Sequence, residues 1–426
     1  MMKFIFPYKL NLHILQLEEY RVEALFKWVF KNFFKRKLEG KKPLVMTQKA
    51  KLLLYLSILF ALITFITLTV AFKTTGATAG IILTTQPYIF LSLAILAIKP
   101  YEIRNRQKIK EKTREKVLAL KKKGLKVIGI TGSFGKTSVK EFLYQILVTK
   151  YSVLKTPESY NTLLGIAKVV DLELDESYEF FICEMGAYKI GEIKELCEIV
   201  PPDYGILTGI NEQHLERFGS IENTIKAKFE LVQAVNDGEK VLLNKENENV
   251  MNNYDKYVKN PNFYSSGSNL SAAIEMSKLL GMTEKEMEKP LAEIKPIPHR
   301  LEVKNLPDGT TLIDDAYNSN VDGFKQALNL LSTFKDQPKI LVTPGIVELG
   351  NKTKEIHVEL GKLADGICDQ IFLVGKSERT EALAEGINNP KKTTYLDSIS
   401  QLKDSLATLN LKSPVVLFEN DLPDNY

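Results

Sequence analysis

Lys136 and Thr137 open a helical pattern directly behind Gly132, Ser133 and Gly135, and this grouping can bind and polarise a triphosphate. The stretch reads Val127-Ile128-Gly129-Ile130-Thr131-Gly132-Ser133-Phe134-Gly135-Lys136-Thr137-Ser138. Val127, Ile128 and Ile130 form a short apolar run, and glycines follow that let the backbone approach a ligand without a Cβ in the way. Val139, Phe142, Leu143, Ile146 and Leu147 then recur at helical spacing. Strand, glycine turn and helix start make a phosphate cradle, because free backbone N–H groups and the positive helix end attract anionic oxygens. Lys136 adds a mobile charge, and the Thr137 hydroxyl is placed for Mg²⁺. Five residues separate Gly129 from Gly135 and two separate Gly132 from it, which is not the common phosphate-loop spacing. An ordinary glycine turn is the plainer alternative.

Other polar residues gain meaning beside this loop. Tyr178 to Gly186 reads as a buried strand ending in Glu184, and an acid at such a strand end can hold Mg²⁺, or can simply be solvated. Asn161 sits in a polar loop, and Asn244 ends the apolar run Val241-Leu242-Leu243. His214 follows another short strand, and Lys228 lies on a helix; residue type alone assigns neither a role. Asp314-Asp315-Ala316-Tyr317-Asn318-Ser319-Asn320 ends a strand in a cluster that is either functional or a carboxylate–amide turn.

In order and spacing, the segments T-G-S-x-G-K-T-S, His214-Leu215-Glu216-x-Phe218-Gly219-Ser220 with Lys228, and Asp314 to Asn320 resemble the Mur ligases, the ATP-dependent amino-acid ligases of peptidoglycan synthesis. The likeness is greatest to the branch that adds D-alanyl-D-alanine. It implies that Gly132, Ser133, Gly135, Lys136, Thr137 and Ser138 hold ATP, with Asn161 near the γ-phosphate and Asn244 near the adenine. It also implies that Thr137 and Glu184 hold one Mg²⁺, that His214 helps hold a second, and that Lys228 becomes a carbamate. Arg300 would reach an ATP phosphate across a cleft, and Asp315 and Asn318 would face the nucleotide and reacting groups. The implied catalytic set is Lys136, Lys228, His214, Arg300, Asp315 and Asn318, with ATP and Mg²⁺ as cofactors. The implied reaction joins a muramoyl-peptide precursor, UDP- or lipid-linked, to a dipeptide or amino acid through an acyl phosphate. Three features depart from the family pattern: a short stretch between Asn244 and Asn269, His299 in place of a glycine, and Glu419-Asn420-Asp421 in place of Lys-Gly-Ser.

The elements that must position these residues alternate strand and helix, which points to an α/β protein. The expected order is a phosphate-loop ATPase domain over 126–295 and a Rossmann-like C-terminal domain over 296–426, preceded by a two-helix transmembrane hairpin over 49–100. Leu52 to Phe72 is an uncharged apolar run, and Ile81 to Ile98 is a second one broken by Gln86 and Pro87. Basic, aromatic-rich 1–48 reads as an amphipathic cytoplasmic segment, and basic 101–125 as a juxtamembrane helix near anionic lipid. Basic residues flank both runs, so the expectation is an inner-membrane, multi-pass protein with cytoplasmic catalytic domains and lipid as a partner. Two buried helices of a soluble core are the alternative.

The whole chain has 426 residues and a net charge of +5, with the excess concentrated before residue 126. No nucleic-acid module accompanies that charge, so nucleic acid is not an expected partner. Cys183, Cys197 and Cys368 lie far apart in sequence, which argues against a disulfide framework or zinc site. Two other functions remain open at this stage: a Mur-like ligase making another amide, such as a polyglutamate or other cell-wall peptide, and a non-catalytic ATP-binding membrane protein.

Overall fold

In the computed structural model the alternating pattern after residue 125 becomes two six-stranded sheets. The structure describes residues 8–18, 20–32, 44–157, 160–265, 269–316, 319–409 and 411–419. They fall into two compact units, one up to Lys108 and one from Ile109.

The first sheet comprises β1 (Lys126–Thr131), β2 (Val153–Lys155), β3 (Phe180–Glu184), β4 (Tyr204–Leu207), β5 (Val241–Asn244) and β6 (Asn262–Tyr264). Its spatial order is β2-β3-β1-β4-β5-β6 and every pair is parallel. A central parallel strand is covered on both faces, which is why β1 is apolar nearly throughout. Ile128 and Ile130 pack with Val139 and Leu143 of the helix Lys136–Leu147, while Val127 faces Phe181 and Leu231. Ile130 pairs in register with Glu184 and Thr131 with Leu207, so the carboxyl ends of β1, β3 and β4 meet at one edge. Chain order reverses direction at β1, and that edge is where an open parallel sheet binds ligands.

The second sheet comprises β7 (Glu302–Asn305), β8 (Thr311–Asp315), β9 (Lys339–Thr343), β10 (Gln370–Val374), β11 (Thr393–Leu396) and β12 (Val415–Glu419), in the order β11-β10-β9-β12-β8-β7. Five strands are parallel, as a Rossmann-like domain requires, but β7 runs antiparallel to β8. The five residues between them explain this: a tight turn through Gly309 at φ 85° allows only a hairpin. Asp315 and Glu419 lie opposite each other where β8 and β12 end.

The N-terminal unit is helical, with Tyr8–Leu17, Val22–Lys31, Gln48–Thr84 and the start of Pro87–Lys122. Leu12, Leu15, Leu25, Leu53, Leu91 and Ala94 form its core, and Phe26 meets Tyr88 edge to face at 5.4 Å. Much of the expected basic amphipathic stretch, 1–7 and 33–43, lies outside the described residues. Within Gln48–Thr84 the chain reverses at Lys73 (φ 50°). A Cβ on Gly76 would lie 1.9 Å from the Leu68 carbonyl oxygen, and one on Gly80 would lie 2.9 Å from Phe65, approaches a straight helix cannot make.

The expected multi-pass membrane placement is contradicted. Among the described residues one candidate span is long and apolar enough to cross a bilayer by length and composition, not two, and it lies within Gln48–Thr84. The second apolar run is split at Thr85–Gln86 between two helices. Its larger part, Pro87 to Ile98, spans only ~18 Å at 1.5 Å per residue, against ~30 Å of hydrocarbon. The same helix continues unbroken through Pro100 to Lys122, so the expected juxtamembrane helix is not a separate element.

Candidate active site

The turn after β1 is shaped by two glycines. Gly132 has φ 153°, and a Cβ there would lie 2.0 Å from Thr208 Oγ1. Gly135 caps the helix Lys136–Leu147 with φ 75°, a left-handed conformation that costs glycine little. The expected phosphate-binding residues come together here. Ser133 N–H donates to Gly209 O at 2.7 Å, and Asn211 N–H donates to Ser133 Oγ at 3.2 Å, tying the turn to the end of β4. Ser138 is buried one helical position beyond Thr137.

Lys136 Nζ donates to the carbonyls of Gly132 at 2.7 Å and Ser133 at 3.1 Å. Burial lowers its ammonium to about 8, opposed by Glu184 and reinforced by Arg300. Thr137 Oγ1 donates to Glu184 Oε2 at 3.1 Å, and Asn161 Nδ2 donates to Glu184 Oε1 at 3.2 Å. Burial would raise the Glu184 carboxyl, but Lys140 and Lys136 outweigh it and hold the group below its ordinary value. The structure thus gathers Lys136, Thr137, Asn161 and Glu184 as the sequence leads one to expect.

A hydroxyl beside one buried carboxylate fits a hard cation that takes its other oxygens from phosphate and water. No three His, Cys, Asp or Glu side chains converge as a metal cluster among the described residues.

Lys140 escaped the sequence reading. Its side chain is fully buried, with Nζ 3.1 Å from Glu184 Oε2. Its place one helical turn after Lys136, on the face of Val139 and Leu143, was the available signal.

His214 caps the one-turn helix Leu215–Phe218 with φ 59°. Its Nδ1 bonds Glu348 Oε2, and its ring meets Tyr188 edge to face at 4.8 Å. Burial lowers the imidazole against the opposing pull of Glu348, and the positive charges of Lys228 and Lys136 add to the lowering. Lys228 lies on the helix Ile221–Ala234 at 2% exposure, its Nζ 5.6 Å from the Phe218 ring centroid. Burial, with Lys136 as a second cause, takes its ammonium well below the ordinary value. Such lowering favours the uncharged amine over the ammonium.

Contacts from the second sheet reach this group. Asn211 Nδ2 donates to Asn320 Oδ1 at 3.0 Å and Asp322 Oδ2 at 2.7 Å, and Lys352 pairs with Glu212 at 3.1 Å. Asp315 accepts from Leu301 N–H at 3.1 Å, beside Arg300, whose charge opposes the rise that burial causes in the Asp315 carboxyl. His299 Nδ1 and Lys304 Nζ both hold Asp314 Oδ2, at 2.8 and 3.1 Å, so this histidine braces the strand hairpin. Asn244 is used internally: its Nδ2 donates to Thr208 O at 2.9 Å and its Oδ1 accepts from Glu246 N–H at 3.0 Å. Asn318 lies outside the described residues.

A glycine cradle at the switch point of a parallel sheet, faced by a second α/β sheet, defines a two-domain α/β protein of the phosphate-loop class. Residues 130–303 match the Mur ligase middle domain, and residues 299–418 match the domain described as Mur ligase, glutamate ligase domain. The chain belongs to the Mur ligase family. It is similar to the UDP-N-acetylmuramoyl-tripeptide–D-alanyl-D-alanine ligase of Bacillus subtilis (strain 168), at 27% identity over 340 residues, covering 70% of this chain and 74% of that one. The ligase of the same name from Escherichia coli (strain K12) is 27% identical over 305 residues, covering 62% of this chain and 67% of the other. Among solved structures, MurF ligase from Thermotoga maritima in complex with ADP superimposes with a TM-score of 0.66 and 26% identity, covering 74% of this chain and 80% of that one.

Proposed function

We infer that this chain is an ATP-dependent, ADP-forming ligase that joins D-alanyl-D-alanine to a UDP-N-acetylmuramoyl-tripeptide, the reaction named for its relatives. The observation that carries the reading is Lys136 folded over the Gly132–Gly135 turn, next to the Thr137–Glu184 pair. A carboxylate oxygen of the acceptor attacks the γ-phosphorus and ADP leaves. The amine of the dipeptide then attacks the acyl carbon, loses its proton, and expels phosphate as the amide forms. The difficulty is bringing one anion to another. The amides of Gly132, Ser133 and Gly135 and the charge of Lys136 meet the triphosphate, with Ser138 behind them and Asn161 toward the γ-phosphate. Mg²⁺, when bound, supplies further charge neutralisation, held by Thr137 and Glu184 at one position and by His214 with a carbamylated Lys228 at a second. Arg300 and Asp315 cover the nucleotide from the second sheet and keep water out. Asn244 ends β5 on the side where the adenine would lie, and Asn318 would join Asp315. Residues 126–295 would form the ATPase domain and 296–426 the closing domain.

The test is ADP release by the full-length protein. It should require both the UDP-linked tripeptide and the dipeptide, and Lys136→Ala should abolish it. ADP release indifferent to either substrate would overturn the reading. A second reading, a Mur-type ligase that takes another amine, is favoured by Glu419. This acid is fully buried at the end of β12, bonded by the Ser319 hydroxyl, where a Lys-Gly-Ser element was expected. A panel of dipeptides and amino acids in the same assay separates the two.

A further inference from the structure

Two non-glycine residues with left-handed backbone face each other across the two Mur domains. His214 has φ 59° and Glu348 has φ 62°. Such conformations cost backbone energy and persist only where surrounding contacts hold them. Here the contacts are plain. Glu348 accepts from His214 Nδ1 through Oε2, and its Oε1 accepts from Arg217 Nε at 3.1 Å and lies 3.0 Å from Nη2. The Glu348 carbonyl accepts from Glu216 N–H at 3.3 Å. The Arg217 guanidinium stacks 4.3 Å from the Tyr188 ring centroid, and Tyr188 supports the imidazole edge. Glu348 is thus gripped at both carboxylate oxygens and its backbone.

A bond at Nδ1 decides the tautomer. With the proton on Nδ1 and directed at a carboxylate, Nε2 keeps the lone pair that a cation needs, and the ring is fixed in orientation. The carboxylate comes from the opposite domain, so this fixing is complete only when the domains are together. We propose that Glu348 is a positioning residue for His214, fixing the imidazole through Nδ1 so that Nε2 would be available to hold the second Mg²⁺, and that binding of that ion is thereby coupled to domain closure. The proposal rests on the reading of His214 as a metal ligand and gives Glu348 a role that reading does not contain. It also gives a reason for the two strained backbones: each aims its side chain at the other.

The experiment uses full-length protein with ADP and Mn²⁺ as the probe, counting bound ions by electron paramagnetic resonance. The wild type should bind a tighter and a weaker ion. Glu348→Ala should leave the tighter ion unchanged and weaken the other by about 10- to 100-fold, the usual effect of removing such a partner. Glu348→Gln, nearly the same shape, should fall between them, which separates positioning from a failure to fold. The ¹⁵N shifts of the imidazole, assigned among four histidines by comparison with His214→Gln, should show the Nδ1–H tautomer in wild type and lose that preference in Glu348→Ala. If His214→Gln keeps both ions, the metal reading of His214 fails. If His214→Gln loses the weaker ion while Glu348→Ala keeps it at wild-type affinity, the positioning role alone is overturned.

Discussion

Thr137 Oγ1 donates to Glu184 Oε2 at 3.1 Å, joining the first turn of the phosphate-loop helix to the end of the neighbouring strand β3. Register fixes the pair, because Ile130 lies opposite Glu184 and the chain turns into its helix just beyond. In the proposed function this buried carboxylate holds a cation, so Glu184→Gln should reduce kcat by roughly 100-fold or more, the scale on which one preorganised electrostatic group acts. Steady-state ADP release measures it. A loss below threefold would remove Glu184 from the site.

Lys140 makes the same carboxylate a structural matter as well. Its ammonium is fully buried and 3.1 Å from Glu184. Lys140→Met fills the space but deletes one half of a buried ion pair, which should cost about 3 kcal/mol of stability. Urea unfolding of wild type and variant checks this, and a change under 1 kcal/mol would mean that Lys136 and Asn161 suffice to hold Glu184.

Gly132 tests the cradle itself. Gly132→Ala places a Cβ 2.0 Å from Thr208 Oγ1 on a backbone at φ 153°. The expected outcome is loss of nucleotide binding, read by isothermal titration with ADP. Adding Thr208→Ala should recover only part of it, because removing the hydroxyl relieves the clash but not the backbone strain. Full recovery would show that sterics alone exclude a side chain there.

The cradle was legible because it is local: strand, turn and helix start occupy consecutive residues, and each leaves its own pattern. The sheets were legible for the same reason, except β7, whose antiparallel direction follows from a turn length and not from composition. The pairing of His214 with Glu348 was not legible. The two lie 134 residues apart, and the placement of one domain against another leaves no periodic trace. The second apolar run near the N-terminus misled because hydrophobicity does not show the helix break at Thr85–Gln86. Gly76 and Gly80 lie on one face of a helix, where small residues admit Leu68 and Phe65.

His357 gives the pH dependence a definite sign. Its Nε2 accepts from Ile346 N–H at 2.9 Å and its Nδ1 donates to Thr353 O at 2.6 Å, so the neutral ring braces the segment that leads to Glu348. Burial lowers the imidazole from 6.5 to about 4, with the charge of Arg379 adding to the effect and the bond to Thr353 opposing it. The unfolded chain therefore takes up a proton at a higher pH than the folded one. The ring's contribution is fully present above 6.5 and is lost as pH falls toward about 4. Between pH 7 and pH 5 this linkage amounts to about 2 kcal/mol. His357→Gln keeps an acceptor for Ile346 but cannot titrate, so its stability should fall less than that of wild type over the same interval. Urea unfolding of both proteins at the two pH values measures the difference. Equal pH dependence would mean that the ring takes up its proton in the folded protein as readily as in the unfolded one, so that the bond from Ile346 N–H does not hold it neutral.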